Sequence, residues 1–253
     1  MSIHERHAHR LTTRADLKEI PASGLRRRRY DIAYLSPNGA VEHMSHMAPA
    51  LAVFEDAFGA LGHSALVQTT SGNVAVEDLM PGDRIRLANG QFETLLWHGT
   101  MTLHPNAPGA KAETCNLTRI MADAFGYLRP SPDLVLGPTA RLFHKANGMQ
   151  ALIGKDAAFI PAQDFVDGAN IINLRPAGAV NVYQLGFASQ QRVPVNGLEI
   201  ESLHPGTAFS HGLRGEMLAL YLSLFPHVTS MDGFGLMQHP RLRLRDLDLL
   251  DRR

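Results

Sequence analysis

Short runs of apolar and β-forming residues, separated by turn signals, occupy most of the chain. The clearest turns are four Asn-Gly pairs, because both central residues of a type I′ hairpin turn need a positive φ. These pairs are Asn38-Gly39, Asn89-Gly90, Asn147-Gly148 and Asn196-Gly197. Strand-like flanks predict hairpins across the first three pairs, the third joining residues 141–144 to residues 149–153. Further strands are predicted at residues 65–70, 170–174 and 180–187, so the pattern favours a mostly β fold.

Helical periodicity occurs in two places along the chain. Residues 48–61 carry four apolar side chains at a spacing that builds one stripe, which predicts a helix. These side chains are Leu51, Phe54, Phe58 and Leu61. Residues 214–225 are apolar on most sides and predict a second helix that packs against the β body. The leucine-rich tail over residues 242–250 fits either a strand or a helix.

The charge balance changes the picture of possible partners. Lysine and arginine number 24, aspartate and glutamate also number 24, and the pI is about 7.3. A neutral protein has no overall field that draws it onto nucleic acid or an anionic membrane, so no nucleic-acid partner is expected. Four consecutive arginines, Arg26 to Arg29, are the local exception. They are interpreted as a solvated entry to a strand, with a patch for nucleic acid or an acidic partner as the alternative.

Cysteine usage and hydropathy bear on the cellular location. Cys115 is the single cysteine, so an internal disulfide is excluded and a reducing compartment, the cytoplasm, is expected. No secretory signal is recognisable in the polar residues 1–11, and no apolar stretch is long enough to span a membrane. Residues 1–27 are expected to form a poorly ordered leader.

Four blocks of sequence, in order, resemble one known family. Residues 76–83 read Val-Glu-Asp-Leu-Met-Pro-Gly-Asp, and residues 133–142 contain Leu-Gly-Pro-Thr-Ala-Arg-Leu. Residues 160–168 begin Ile-Pro-Ala, and residues 195–206 contain Asn-Gly-Leu-Glu-Ile-Glu-Ser before Pro205-Gly206. Together they resemble Hint modules, the fold shared by Hedgehog autoprocessing domains and inteins, in the bacterial branch. The resemblance covers roughly residues 60–250.

The resemblance implies a fold and a division of the chain. It implies a mostly β Hint fold built of hairpins, with an N-terminal hairpin and helix and a short helical C-terminal extension. The expected parts are the leader at 1–27, the hairpin and helix packed on the core at 28–61, the Hint-like β domain at 62–206 and the helical extension at 207–253.

The resemblance also implies a chemistry, and this chain lacks its groups. In the family a Cys or Ser at the first position of the module attacks the preceding carbonyl, while a Thr and a His of the central block polarise that amide. The corresponding positions here are Ala60, Gly137 and Ala140. Asn196 matches the family's C-terminal Asn. Its neighbours Val195 and Gly197 stand where inteins commonly carry His and a downstream nucleophile.

Two neighbouring residues are the candidates for a relocated site. His63 and Ser64 lie beside the expected position, although on a strand adjacent side chains point to opposite faces. Cys115 is interpreted as a buried apolar thiol and His144 as an ordinary strand histidine. Asp164 and Asp167 are interpreted as turn residues rather than as a catalytic acid pair.

No metal or other cofactor is expected. His4, His7 and His9 lie in the leader, where fixed coordination geometry is not expected. His43 and His46 are three residues apart, which on a strand places their rings on opposite faces.

The leading functional hypothesis is therefore a Hint-domain protein that has lost autoprocessing and acts as a binding or structural module with a protein partner. The alternative is residual autoproteolysis through His63 or Ser64, or at Asn196-Gly197. A third hypothesis is an assembly scaffold. The sequence leaves the oligomeric state open.

Overall fold

The computed structural model describes residues 26–107, 115–206 and 212–247. Two antiparallel sheets dominate these ranges, and helices are short. The strands are β1 (Arg27–Leu35), β2 (Val41–Pro49), β3 (Leu61–Gly62), β4 (Leu66–Thr69), β5 (Gly72–Ala75), β6 (Arg84–Arg86), β7 (Phe92–Thr94), β8 (Trp97–Leu103), β9 (Leu117–Ile120), β10 (Leu134–Leu136), β11 (Arg141–Lys145), β12 (Ala157–Pro161), β13 (Ile171–Leu174), β14 (Val180–Gly186), β15 (Arg192–Val195) and β16 (Leu198–Glu201). The α-helices are α1 (Ala52–Glu55), α2 (Met149–Ile153), α3 (Gly215–Leu222) and α4 (Leu244–Leu247).

The two sheets pack on each other around the main core. The first has the order β13-β9-β10-β3-β14-β8-β1-β2, and the second has the order β12-β11-β16-β15-β4-β6-β7 with β5 beside β4. Side chains of both sheets meet in one apolar cluster, as Leu61 and Leu136 of the first sheet and Val67 and Ile200 of the second illustrate. This cluster contains Ala60 and Ala140, two of the three positions at which the family chemistry is expected.

A second core covers the other face of the first sheet. Phe58 lies between Tyr30 and Trp97, with ring centroids 4.6 and 5.1 Å away, and Phe225 lies 5.1 Å from Trp97. Trp97 Nε1 also donates a hydrogen bond of 2.8 Å to the Leu224 carbonyl. The segments before residue 60 and after residue 212 are thus joined through one aromatic cluster.

Local turn signals predicted most of the strands. The hairpins at Asn38-Gly39 and Asn89-Gly90 are confirmed as β1–β2 and β6–β7. The strands predicted at 65–70, 170–174 and 180–187 correspond to β4, β13 and β14. Arg27, Arg28 and Arg29 belong to β1 itself rather than preceding a strand.

The predicted hairpin at Asn147-Gly148 is wrong. Residues 149–153 form the helix α2, and β12 is the strand that pairs with β11. Met, Gln, Ala and Leu are good helix formers, whereas the run from Ala157 to Ile160 is buried throughout and supplies the better strand. Met149 packs into a small cluster with Ala158 and Ile160.

The helix predicted over residues 48–61 is much shorter than expected. Only α1, a single turn, is helical, although Phe54 and Phe58 are buried as the stripe predicts. Both ends of the predicted helix belong to β-strands instead. Pro49 pairs with Arg27, and Leu61 pairs with Tyr183 on one side and Leu136 on the other.

The C-terminal segment agrees better with its pattern. The helix predicted over residues 214–225 is confirmed as α3, with Tyr221 buried, and the tail, for which a strand or a helix was expected, forms the short helix α4. None of the helices in the described ranges has the length and apolar character needed to cross a membrane. The mostly β fold class is confirmed. Residues 1–25 of the predicted leader lie outside the described residues, and its last residue, Arg27, begins β1.

Candidate functional site

The three positions at which the family carries its reactive groups lie together. The Gly137 amide donates a hydrogen bond of 2.8 Å to the Ala60 carbonyl, and the Ala140 amide donates to the Gly137 carbonyl over 3.3 Å. Ala60 precedes β3, while Gly137 and Ala140 lie between β10 and β11. The strand pairing of Leu61 with Leu136 holds these segments side by side.

Apolar packing surrounds two of these positions. Ala60 is 1 % and Ala140 is 2 % exposed, and both belong to the core between the sheets. Neither methyl group can attack a carbonyl or move a proton.

Gly137 is closed to any side chain. A Cβ atom there would lie 2.1 Å from the Gly59 carbonyl oxygen and 3.3 Å from Val182 Cγ1. The position at which the family carries Thr is therefore filled by backbone, and a larger residue would need the β3 and β10 segments to separate.

The peptide bond between Gly59 and Ala60 is held at both ends. The Gly59 carbonyl accepts a hydrogen bond of 3.0 Å from the Thr139 amide, and the Ala60 amide donates to the Tyr183 carbonyl over 3.1 Å. A donor on the Gly59 oxygen is one part of what an attack on this carbonyl needs, because negative charge develops on that oxygen.

Thr139 is a residue that the sequence reasoning missed. Its Oγ1 is buried without a hydrogen-bond partner and lies 3.0 Å from the point that a Cβ of Gly59 would occupy. The family resemblance directed attention two residues upstream, to Gly137. In the sequence, Thr139 was visible only as a hydroxyl-bearing residue within residues 133–142, and nothing in the pattern singled it out.

His63 and Ser64 lie in a turn after β3 rather than on a strand, and Ser64 has a φ of 63°. Both contact Glu77: His63 Nδ1 lies 3.0 Å from Glu77 Oε1, and the Ser64 amide donates to Glu77 Oε2 over 2.9 Å. The His63 side chain is 70 % exposed. Within the described residues no hydrogen bond joins the Ser64 hydroxyl to His63, so the two do not form a nucleophile–base pair in this geometry.

The side-chain amide of Asn196 is fully engaged with backbone. Its Oδ1 accepts a hydrogen bond of 2.7 Å from the Leu66 amide, and its Nδ2 donates to the carbonyls of Pro132 and Asp133 over 3.1 and 3.3 Å. Both Asn196 and Gly197 have positive φ values, 48° and 90°, as a type I′ turn requires. These contacts connect the β15–β16 turn to β4 and to the segment before β10, and they direct Nδ2 toward carbonyls of another segment.

Replacing Asn196 by alanine is expected to lower the free energy of unfolding by about 3 kcal/mol. Asparagine adopts a left-handed backbone more readily than alanine, for which this conformation costs about 1–2 kcal/mol, and a buried amide that loses its acceptor costs about 1–3 kcal/mol. Urea unfolding of N196A measures the change. The matched variant N196G keeps the backbone freedom and is expected to lose less stability; equal losses for the two variants would contradict the φ contribution.

The other candidate residues have structural partners. The Asp164 carboxylate accepts a hydrogen bond of 2.8 Å from Arg243 Nε and so holds the C-terminal tail, while Asp167 Oδ1 accepts from three successive backbone amides over residues 169–171. Those amide hydrogen bonds lower the pKa of Asp167.

Cys115 is buried and forms no disulfide. Partial burial against Phe165 lowers the pKa of His144.

No metal centre is recognisable in the described ranges, which hold no group of three or more His, Cys, Asp or Glu suited to a metal ion. His43 and His46 lie on β2 at a spacing of three, so their rings point to opposite faces. His4, His7 and His9 fall outside the described residues.

Two buried histidines were not singled out by the sequence reasoning. His98 is 7 % exposed and its ring stacks on Tyr183 at 5.7 Å, with Nε2 lacking a partner. Both ring nitrogens of His227 are buried without a partner among the aromatic rings of the second core. Burial lowers the pKa of each imidazole from 6.5 to about 4. Both rings are therefore neutral near pH 7.

A cavity of about 330 Å³ lies next to the family positions, on the side of Arg141. Its polar wall contains Asp56, Arg141, His204 and Arg241, and its apolar wall contains Val53, Ala57, Leu213 and Tyr221. Asp56 and Ala57 precede the Gly59–Ala60 bond, and Arg141 directly follows Ala140. This volume lies within the range of small-molecule sites.

A buried glutamate organises the polar wall of the cavity. Glu201, with its side chain 3 % exposed, accepts two hydrogen bonds from Arg241 Nε, at 2.9 and 3.0 Å, and lies 3.6 Å from Arg141 Nη1. Arg241 Nη2 also donates to the His204 carbonyl over 2.6 Å. One carboxylate therefore serves two guanidinium groups, and the Asp56 carboxylate on the same wall has neither of them as a hydrogen-bond partner in the described residues.

Asp56 and His204 complete the electrostatics of the cavity. Surrounding protein withdraws water from the Asp56 carboxylate and raises its pKa, an effect that the charges of Arg141 and Arg241 oppose. His204 Nδ1 accepts a hydrogen bond from the Gly206 amide, so the proton sits on Nε2, which lies 3.1 Å from the Gly235 carbonyl. Burial lowers the pKa of His204 as well, which favours this neutral form.

Comparison with known proteins gives one family and several distant structures. A family model described as a Hint domain matches residues 60–207, more than half of the chain. No curated protein matches the chain. The solution structure of a bacterial intein-like domain from Clostridium thermocellum is similar over 57 % of this chain and 98 % of its own, at 13 % identity and a TM-score of 0.38.

Two intein structures are similar to the same degree. A splice-inactive variant of the AceL NrdHF class 3 split intein covers 57 % of this chain and 98 % of its own, with 10 % identity and a TM-score of 0.38. The MchDnaB-1 intein covers 56 % of this chain and 98 % of its own, with 12 % identity and a TM-score of 0.35. The family match begins at Ala60.

Proposed function

This chain belongs to the Hint domain family, and we propose that it is a member that no longer cleaves or splices itself and serves as a binding or structural module. The observation that carries the proposal is the burial of Ala60 and Ala140 as methyl groups in the core, beside the backbone-filled position of Gly137. Peptide-bond rearrangement needs a nucleophile at the first of these positions and a proton carrier at the second.

The way in which residues 27–59 are built into the fold supports the same proposal. Strand β1 pairs with β8 inside the first sheet, from Tyr30 opposite Met101 to Tyr34 opposite Trp97. Phe54 and Phe58 are buried in the second core together with Phe225. A self-processing reaction at residue 60 would separate residues 27–59 covalently from the sheet and the core that they help to build. A structural role keeps the two parts in one chain.

The intact mass of the purified protein tests the proposal. We expect the full 27.7 kDa chain to persist, with or without added thiol. The measurement must be made under denaturing conditions, because the β1–β8 pairing would hold cleaved pieces together in a native experiment. A fragment that begins between residues 58 and 66 would contradict the proposal.

The rate distinguishes catalysis from spontaneous chemistry at Asn196-Gly197. An Asn-Gly bond deamidates slowly without any enzyme, since glycine hinders cyclisation little. Cleavage or mass change within minutes would mean catalysis, while a change over weeks would be the intrinsic reaction. Ser64→Ala and Asn196→Ala, made separately, identify which residue is responsible if a rapid reaction is seen.

A further inference from the structure

The cavity beside Ala140 contains separated charges of opposite sign. Arg141 Nε and Nη2 make no hydrogen bond within the described ranges, because the contacts of this guanidinium to Thr139 and Glu201 involve Nη1. The Asp56 carboxylate likewise accepts no hydrogen bond there, and no ion pair joins it to Arg141. The two groups line the same cavity, and each influences the charge of the other.

A ligand with only one charge would match only half of this cavity. An anion would satisfy the positive charge left by Arg141, Arg241 and Glu201 but would face the Asp56 carboxylate. A cation would satisfy Asp56 but would face two guanidinium groups. Buried or half-buried charges without partners are costly, so the best match carries both signs.

The remaining wall is apolar. Val53 on α1, Ala57 just after it and Leu213 before α3 also line the cavity. This wall would remove an aliphatic group of moderate size from water.

We propose that this cavity binds a free amino acid with an aliphatic side chain, its carboxylate on Arg141 and its ammonium group on Asp56. Arg141 offers two adjacent N–H groups in the geometry that suits a carboxylate. Asp56 accepts the ammonium hydrogens, and the side chain lies against Val53, Ala57 and Leu213. The inference deepens the binding role proposed above, with a stated class of ligand.

Titration calorimetry of the full chain tests the inference with three related compounds. L-leucine carries both charges, isocaproate lacks the amino group, and isoamylamine lacks the carboxylate. We expect L-leucine to bind at millimolar concentration or below, and each of the other two to bind about 10- to 100-fold more weakly, the size expected for one charged hydrogen-bonded contact. Equal binding of either truncated compound, or no heat from L-leucine, would overturn the proposal.

Variants of the two charged residues provide a second measurement. Arg141→Gln and Asp56→Asn are each expected to weaken L-leucine binding about 10- to 100-fold. Arg86→Gln and Asp156→Asn change the same residue types at exposed positions away from the cavity and are expected to leave binding unchanged. Thermal melting shows whether each variant is folded. If a variant does not fold, the binding of isocaproate and isoamylamine to the natural chain still tests the proposal.

The outcome is independent of the intact-mass experiment. A stable chain that ignores L-leucine would overturn the ligand assignment and leave the loss of self-processing standing. A chain that cleaves itself but binds L-leucine would overturn the loss of self-processing and leave the ligand assignment standing.

Discussion

The double variant Ala60→Cys with Ala140→His is expected to cleave its own chain after Gly59 when a thiol is added, whereas the natural chain stays intact. The introduced thiol at position 60 would attack the Gly59 carbonyl carbon, and the amide bond to residue 60 would break to give a thioester. The imidazole at position 140 would deliver the proton that the departing amine needs. The added thiol would then take the acyl group and release residues 1–59.

The structure already provides one part of this reaction. The Thr139 amide lies 3.0 Å from the Gly59 oxygen, on which negative charge would develop. Proton transfer by a positioned side chain contributes about 10²- to 10⁴-fold to a rate, so Ala60→Cys alone is expected to cleave slower than the double variant by that factor. Denaturing mass spectrometry over time measures both rates.

Two controls make this result interpretable. Ala162→Cys places a thiol at another buried alanine of the same core and is expected to produce no cleavage. An imidazole at position 140 enlarges a packed site at a cost of about 1–3 kcal/mol, so the melting temperature of each variant is recorded first. A folded double variant that stays uncut would show that the two missing side chains do not account for the inactivity.

The free energy of unfolding is expected to fall by about 5 kcal/mol between pH 6.5 and pH 4, because His98 and His227 are buried as neutral rings. Their native pKa values of about 4 lie below the 6.5 of an unfolded histidine, so the unfolded chain binds more protons in this interval. Each ring therefore contributes about 3 kcal/mol that is fully present well above pH 6.5, and about 2.5 kcal/mol of it is lost between pH 6.5 and pH 4. Small proteins are stable by about 5–15 kcal/mol, so acid unfolding is expected in this window.

Urea unfolding at several pH values measures this dependence and assigns it. His227→Phe keeps an aromatic ring among Trp97, Phe225 and Phe234 and is expected to remove about half of the decline. His43→Gln changes an exposed histidine on β2 and is expected to leave the decline as it is. The same decline in His227→Phe as in the natural chain would contradict the role of this buried ring.

Some features of the candidate site were predictable from the sequence because they are chemical identities at countable positions. Ala60, Gly137 and Ala140 were found from the spacing of the family blocks, and the structure brings them into one hydrogen-bonded group. What surrounds them was not predictable. The contact between Gly137 and the Gly59 carbonyl exists only because β3 and β10 pair across about 75 residues of chain.

Two errors in secondary structure have the same origin. Residues 48–61 have a helical stripe, yet strand pairing at Pro49 and Leu61 leaves a single helical turn between them. Residues 149–153 follow an Asn-Gly turn, yet a later and more deeply buried run takes the place beside β11. In both cases contacts between distant segments outweigh a local preference of a few tenths of a kcal/mol per residue.

The sequence by itself determined the turns at Asn38-Gly39 and Asn89-Gly90 and the β class, because each depends on a few neighbouring residues, and it predicts that the family's reactive groups are missing at Ala60, Gly137 and Ala140. Only the tertiary structure decided where the Asn196 amide is held and that Asp56, Arg141 and Arg241 share one cavity. Backbone preferences act within one turn or hairpin, and the sequence displays them directly. A cavity lined by residues 56, 141 and 241 depends on the packing of the whole chain, which no local pattern contains.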